Sequence, residues 1–157
     1  MKATPEYSFG AAFIFPLYAK RTTSVHALLG IKNTTAMQHK AKSIRAFIGA
    51  KNFEISRNFY RDLGFQESRI DANMSYFHTE GFGFYLQNAY VRDWVDNTMI
   101  FLEVDDVARH WQELVALDLP AKYTGVRLTP IRSYDWGRES FLHDPSGILW
   151  HFGEFYK

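Results

Sequence analysis

The chain has 157 residues, of which 46% are apolar, 17% aromatic and 22% charged, a balance that excludes a disordered polypeptide and suits one domain or two small fused modules. There is no cysteine, so disulfides and thiolate zinc sites are excluded and a reducing, cytoplasmic setting is expected. The formal net charge of +1 hides a division: residues 1–53 carry eight Lys or Arg against the single acid Glu6, whereas from Glu54 onward sixteen acids outnumber ten bases, which speaks against a nucleic-acid partner.

Residues 1–42 read as a basic extension. The apolar run Phe9 to Ala19 is shorter than the roughly 20 residues of a bilayer crossing, so no membrane association is expected. Three readings of this segment stay open. It resembles a weak secretory signal interrupted by Pro16, an acid-poor transit peptide, or a non-native extension ahead of a start at Met37, the last being preferred.

A domain is expected over residues 43–157. Ile44, Ala46, Ile48 and Ala50 alternate with Arg45, Phe47, Gly49 and Lys51, the two-residue period of a strand. Asn52 then caps a helix on which Phe53, Ser56, Phe59, Tyr60 and Leu63 recur, with Gly64 at its end. Strands are predicted over Phe65 to Ile70, Met74 to Thr79 and Phe82 to Asn88, separated by the turns Asp71-Ala72-Asn73 and Glu80-Gly81.

The same order then returns, with a strand over Thr98 to Val104, a helix capped by Asp105 or Asp106 that runs to about Leu117, and further strands ending at Phe155. Phe47 maps to Phe101, Asn52 to Asp106, Phe53 to Val107, Tyr60 to Leu114 and Leu63 to Leu117. The pattern predicts an α+β fold of two βαβββ modules, about 43–90 and 97–156, because neither module covers its sheet alone.

Alternation then divides each strand. Ile44, Ala46 and Ile48, Phe82, Phe84 and Leu86, Ile100, Leu102 and Val104, and Ile148, Trp150 and Phe152 are assigned to the helix side. Arg45, Phe47, Tyr85, Gln87, Met99, Phe101, Glu103 and His151 are left for a shared concave cleft of mixed sheet. Glu103 reads as neutralising a cationic ligand or, more economically, pairing with Arg45 across it, and Trp94 as closing the cleft or, preferred, packing against a second subunit. His78, His110 and His143 read as surface or hydrogen-bonded residues, Asp144-Pro145-Ser146-Gly147 as a turn, and no serine sits in a nucleophile elbow.

Three motifs then point to a family: Asn-Phe-Glu-Ile-Ser-Arg-Asn-Phe-Tyr-Arg-Asp-Leu-Gly-Phe at 52–65, Asp-Asn-Thr at 96–98, and Trp136-Gly137-Arg138-Glu139 followed by Asp144-Pro145-Ser146-Gly147 and Trp150-His151-Phe152. From Ser43 to Phe155 the chain resembles the vicinal oxygen chelate superfamily, and specifically the bleomycin resistance proteins. The resemblance implies a glyoxalase/bleomycin resistance-like fold, a homodimer, and Trp136 in a groove that takes a small molecule, the cleft being expected at the dimer interface; Arg138 and Glu139 of the same motif read instead as a structural ion pair.

Enzymes of that superfamily hold a metal at four strand positions, which fall here on Arg45, Gln87, Met99 and His151. A guanidinium cannot bind a cation and a thioether suits hard divalent ions poorly, so no metal and no other cofactor are expected. The function expected is metal-free sequestration of an amphipathic, aromatic and cationic compound, of which bleomycin is the family's example. A metal-dependent glyoxalase or ring-cleaving dioxygenase is the alternative.

Overall fold

The computed structural model describes Met37 and residues 39–157; nearly all of the basic extension expected over 1–42 lies outside the described residues. The first module runs β1 (Phe47–Gly49), α1 (Phe53–Asp62), β2 (Gln66–Arg69), β3 (Met74–Thr79) and β4 (Phe82–Gln87). A short α2 (Arg92–Val95) leads to the second: β5 (Met99–Glu103), α3 (Val107–Ala116), a four-residue α4 (Leu119–Lys122), β6 (Arg127–Ser133), β7 (Gly137–His143) and β8 (Leu149–Phe155).

The duplication expected from the spacing is present in the topology. One sheet has the strand order β1-β4-β3-β2 and the other β5-β8-β7-β6, and in each the first strand joins the last in parallel while the remaining pairs are antiparallel. The caps repeat as well. Asn52 Oδ1 accepts from the Ile55 amide at the start of α1, and Asp106 Oδ1 accepts from Ala108 and Arg109 at the start of α3.

The side of each sheet that carries its helix, here called inner, forms one core common to both modules. Phe84 of β4 and Tyr60 of α1 lie 5.3 and 5.8 Å, ring to ring, from Trp150 of β8, and Phe65 lies 5.5 Å from it. Ile48, Phe59, Phe77, Leu86, Leu114, Leu142, Ile148 and Phe152 are buried in the same cluster. Polar atoms bind the halves too: the fully buried Asp144 takes the Tyr60 hydroxyl on Oδ2 at 2.7 Å and the amides of Ser146, Gly147 and Ile148 on Oδ1, each at 2.8 Å. The segment expected to be a simple turn thus also anchors one module to the other. Burial pushes the Asp144 carboxyl above its ordinary value, partly offset by these four donors.

Two expectations fail here. Strand β1 begins only at Phe47, so Ile44, assigned to the core, is 98% exposed. Phe82 opens β4 next to the Glu80-Gly81 turn and is also exposed. Trp94 on α2 is exposed on the single chain, free for the contact with a second subunit expected of it. Alternation alone marks a residue's side of a strand, whereas burial also needs something lying over it, and at the ends of these elements nothing does.

Candidate functional site

The outer faces of the two sheets carry the residues singled out by alternation. They do not form one cleft within the chain. Arg45, Phe47, Tyr85 and Gln87 belong to the outer face of the first sheet; Met99, Phe101, Glu103 and His151, joined by Trp136 from the β6–β7 hairpin, belong to that of the second. Because the sheets meet through their inner faces, no aromatic, ionic or hydrogen-bonding contact links the two outer faces among the described residues. Within one chain the cleft residues thus occupy two separate surfaces.

On the first surface Tyr85 is the hub. Phe47 stacks on it at 4.7 Å, and its hydroxyl accepts a 3.1 Å hydrogen bond from the Arg45 guanidinium. That guanidinium also lies 4.2 Å above the Tyr76 ring, which stacks on His78 at 5.2 Å. Tyr76, which alternation on β3 places here, went unremarked in the sequence. The signal for it is Gly83, since a Cβ at Gly83 would meet the Tyr76 ring at 2.6 Å: the strand leaves room for the ring to lie across it. Arg45 is not paired with Glu103, which stands on the other surface; its partners are the two tyrosines.

The second surface repeats the device with different chemistry. Phe101 lies across Gly153, where a Cβ would meet the ring at 2.5 Å. Around it run Trp136 at 6.2 Å, Phe155 at 5.7 Å and His151 at 6.4 Å, while Tyr134 stacks on Trp136 at 5.5 Å and 4° between planes. Two acids flank Gly153 in the strand register, Glu103 on β5 and Glu139 on β7.

Glu139 is the residue that the sequence misassigned. It does not pair with Arg138, whose side chain turns to the inner face and binds Glu154. Neighbours on a strand point to opposite faces, so an ion pair between adjacent residues was geometrically disfavoured from the start. Instead Glu139, only 7% exposed, faces outward, and its Oε2 lies 2.8 Å from His151 Nδ1, the Phe141 ring packing edge-on at 5.0 Å. Further along the face His143 buries an unpartnered Nδ1; burial, with Arg127 and His151 nearby, pushes its imidazole below the usual value. His110 likewise has a buried Nδ1 without a partner, on the helix side, and burial lowers it.

The four positions inherited from metal-dependent relatives fit a metal poorly. The Arg45 guanidinium is itself a cation, engaged with Tyr85 and Tyr76, and the Met99 thioether suits a hard divalent ion poorly, so of the four only His151, through Nε2, and weakly Gln87 could ligate. Among the described residues no group of three His, Asp or Glu is placed to hold an ion. An open groove of about 560 Å³ lies elsewhere, between the start of α1 and α4, lined by the exposed Lys51 and Lys122. It contains no buried polar group aimed inward. The outer faces, with their aromatic and acidic clusters, are the better candidate.

Comparison with known proteins agrees with this architecture. The Glyoxalase/Bleomycin resistance protein/Dioxygenase superfamily profile matches residues 42–152. Among solved structures, a bleomycin resistance determinant encoded on the transposon Tn5 aligns over 73% of this chain and 99% of its own, with a TM-score of 0.61 and 16% identity. A bleomycin-binding protein from Streptomyces verticillus, complexed with copper(II)-bleomycin, aligns over 71% and 96%, at 0.60 and 23%. A lactoylglutathione lyase from Agrobacterium tumefaciens aligns over 73% and 95%, at 0.56 and 15%. No curated protein matches the chain. With the profile spanning most of the sequence and the duplicated topology in place, the chain belongs to the glyoxalase/bleomycin resistance protein/dioxygenase superfamily.

Proposed function

We propose that the protein binds a planar, amphipathic cation without metal or chemical conversion, in a cleft completed when the first outer face of one copy meets the second outer face of another. One observation carries this reading: both outer faces are aromatic and exposed, yet the chain closes neither on the other. Phe47 on one face and Met99, Phe101 and Trp136 on the other stay a third or more exposed, apolar surface of the kind that a partner covers. Bringing the faces together places Arg45, Phe47, Tyr85 and Gln87 opposite Met99, Phe101, Glu103, Trp136 and His151. The guest would stack between aromatic rings and be neutralised by Glu103 and Glu139.

Bleomycin-type compounds are the first candidates, because the Streptomyces verticillus protein of the same fold is complexed with copper(II)-bleomycin. Light scattering should give twice the 18.3 kDa chain mass. A monomer at micromolar concentration would remove the cleft. Titration with metal-free bleomycin should quench tryptophan emission, and Trp136→Ala should weaken binding by about 1 kcal/mol or more. The lyase neighbour motivates the second reading, a metal-dependent enzyme; one tightly held metal per chain after dialysis would favour it.

A further inference from the structure

We infer that the Glu139–His151 pair makes the second outer face select for guests that donate a hydrogen bond, an N–H-bearing aromatic cation rather than a quaternary one. The inference rests on the binding reading above and adds the chemistry of its guest.

The pair has an unusual position. Glu139 is almost wholly buried, yet it stands on the face that points away from the core. A buried carboxylate needs a donor, and the one within reach is His151 Nδ1 at 2.8 Å. In a neutral imidazole, the hydrogen bond made by one nitrogen decides the role of the other. With Nδ1–H donated to the Glu139 carboxylate, Nε2 is left as a lone pair. It has no partner among the described residues, and the His151 side chain remains 22% exposed, so the pair is open to solvent on one side.

The surroundings decide what this acceptor reads. Phe101 and Phe141 flank the imidazole at 6.4 and 5.0 Å, and Trp136 and Phe155 continue the aromatic surface beyond Phe101. A flat guest stacked there brings its edge toward Nε2. A ring N–H or amine on that edge is satisfied by Nε2, while an acceptor meets a lone pair and an N-methyl group leaves Nε2 dry and unpaired. The charge of a cation shortens and strengthens the bond it donates, and the adjacent carboxylates of Glu139 and Glu103 reinforce that preference. Shape and stacking treat N–H and N–methyl cations nearly alike, so the discrimination falls to this pair.

Two measurements at pH 8 on the full chain test this. Long-range proton–nitrogen correlation spectra of the His151 ring should report the Nδ1–H tautomer; the Nε2–H tautomer would overturn the inference whatever binds. Fluorescence titration should then compare 9-aminoacridinium, which carries N–H groups, with 10-methylacridinium, which has none. The first should bind roughly tenfold tighter or more. His151→Phe, which keeps the flat ring, and His151→Gln, which keeps a polar partner for Glu139 should the first variant fold poorly, should bring the ratio close to one or reduce it. Equal affinity of the two dyes for the unaltered protein, or a preference that survives both substitutions, would overturn donor selection while leaving cation binding intact. If neither dye binds but the tautomer is as expected, the binding reading fails, and this inference with it.

Discussion

The two modules share strand order, parallel closure, helix caps, an inner acid bound to an arginine and even a ring laid across a glycine, yet only the second carries acids on its outer face as well. In the first module the acid is inside. Glu67 on β2 faces α1, where its carboxylate binds Arg57 at 2.6 Å and Ser75 at 2.6 Å beneath the helix. The outer face of that sheet carries no Asp or Glu at any strand position, only Arg45, His78 and neutral side chains. In the second module the position of Arg57 is taken by Trp111, which packs against the core, and the acids Glu103 and Glu139 stand outside. Fold and site therefore draw on different positions of one repeat: the helix side decides whether the sheet is covered, and the outer side is free to vary in charge.

The largest effect should come where the modules are least separable. Trp150→Ala removes the indole against which both halves pack and should cost about 4 kcal/mol, with urea unfolding still a single transition. Two separate transitions would mean that the halves have independent cores. Next comes the buried acid. Glu67→Gln should cost about 2 to 3 kcal/mol, since Arg57 keeps only the exposed Glu54, whereas Glu103→Gln should stay within about 0.5 kcal/mol. Comparable losses would erase the contrast between the modules.

The glycines sharpen it further. Gly83→Ala drives a Cβ into the Phe77 carbonyl oxygen as well as the Tyr76 ring, and a paired strand cannot move that oxygen away; about 1 to 2 kcal/mol should be lost. Gly153→Ala meets mainly the half-exposed Phe101 ring, which can swing outward, so less than about 1 kcal/mol should be lost, with a larger effect on ligand quenching than on melting.

The smallest effect is the pH dependence assigned to Glu67. Burial pushes its carboxyl up, but the hydrogen bonds from Arg57 and Ser75 and the charge of Arg61 outweigh this and hold it below the ordinary value. A carboxyl lowered on folding contributes stability that is present above its unfolded value, about 4.3, and is lost as the pH falls through the folded one. Asp144, raised by burial, contributes with the opposite sign. Comparing the unaltered protein with Glu67→Gln removes the shared Asp144 term. The stability gap between the two should narrow below about pH 4.

The duplicated frame was legible because its signals are local. Asn52 and Asp106 cap their helices at matching positions, and strand alternation correctly separates Tyr85 from Leu86 and His151 from Trp150. What escaped depends on partners distant in the chain. Glu139 was bound to the wrong neighbour because its true partner lies twelve residues away across a strand pair. Tyr60 was recognised as core, but its hydroxyl finds Asp144 at a separation of 84 residues, which no period records. How the outer faces stand to one another within the chain escaped for a related reason: alternation tells which side of its own sheet a residue occupies, and is silent on how one sheet is turned against the other.

That long-range bond between Tyr60 and Asp144 bears on how a duplicated chain of this kind comes to depend on its own order. Were the halves produced as separate peptides, each would expose the aromatic floor that the other now covers, and each would be driven to associate. Two first halves would set one Tyr60 hydroxyl near another in an apolar seam, without the carboxylate that now receives it. Two second halves would bring Leu114 where the phenol belongs, leaving Asp144 to bury its charge with one donor fewer. Only the mixed pair satisfies both groups, so two differences between the halves, Tyr60 against Leu114 and the Asp144 carboxylate that only the second half supplies, make them complements rather than interchangeable copies and their covalent linkage advantageous.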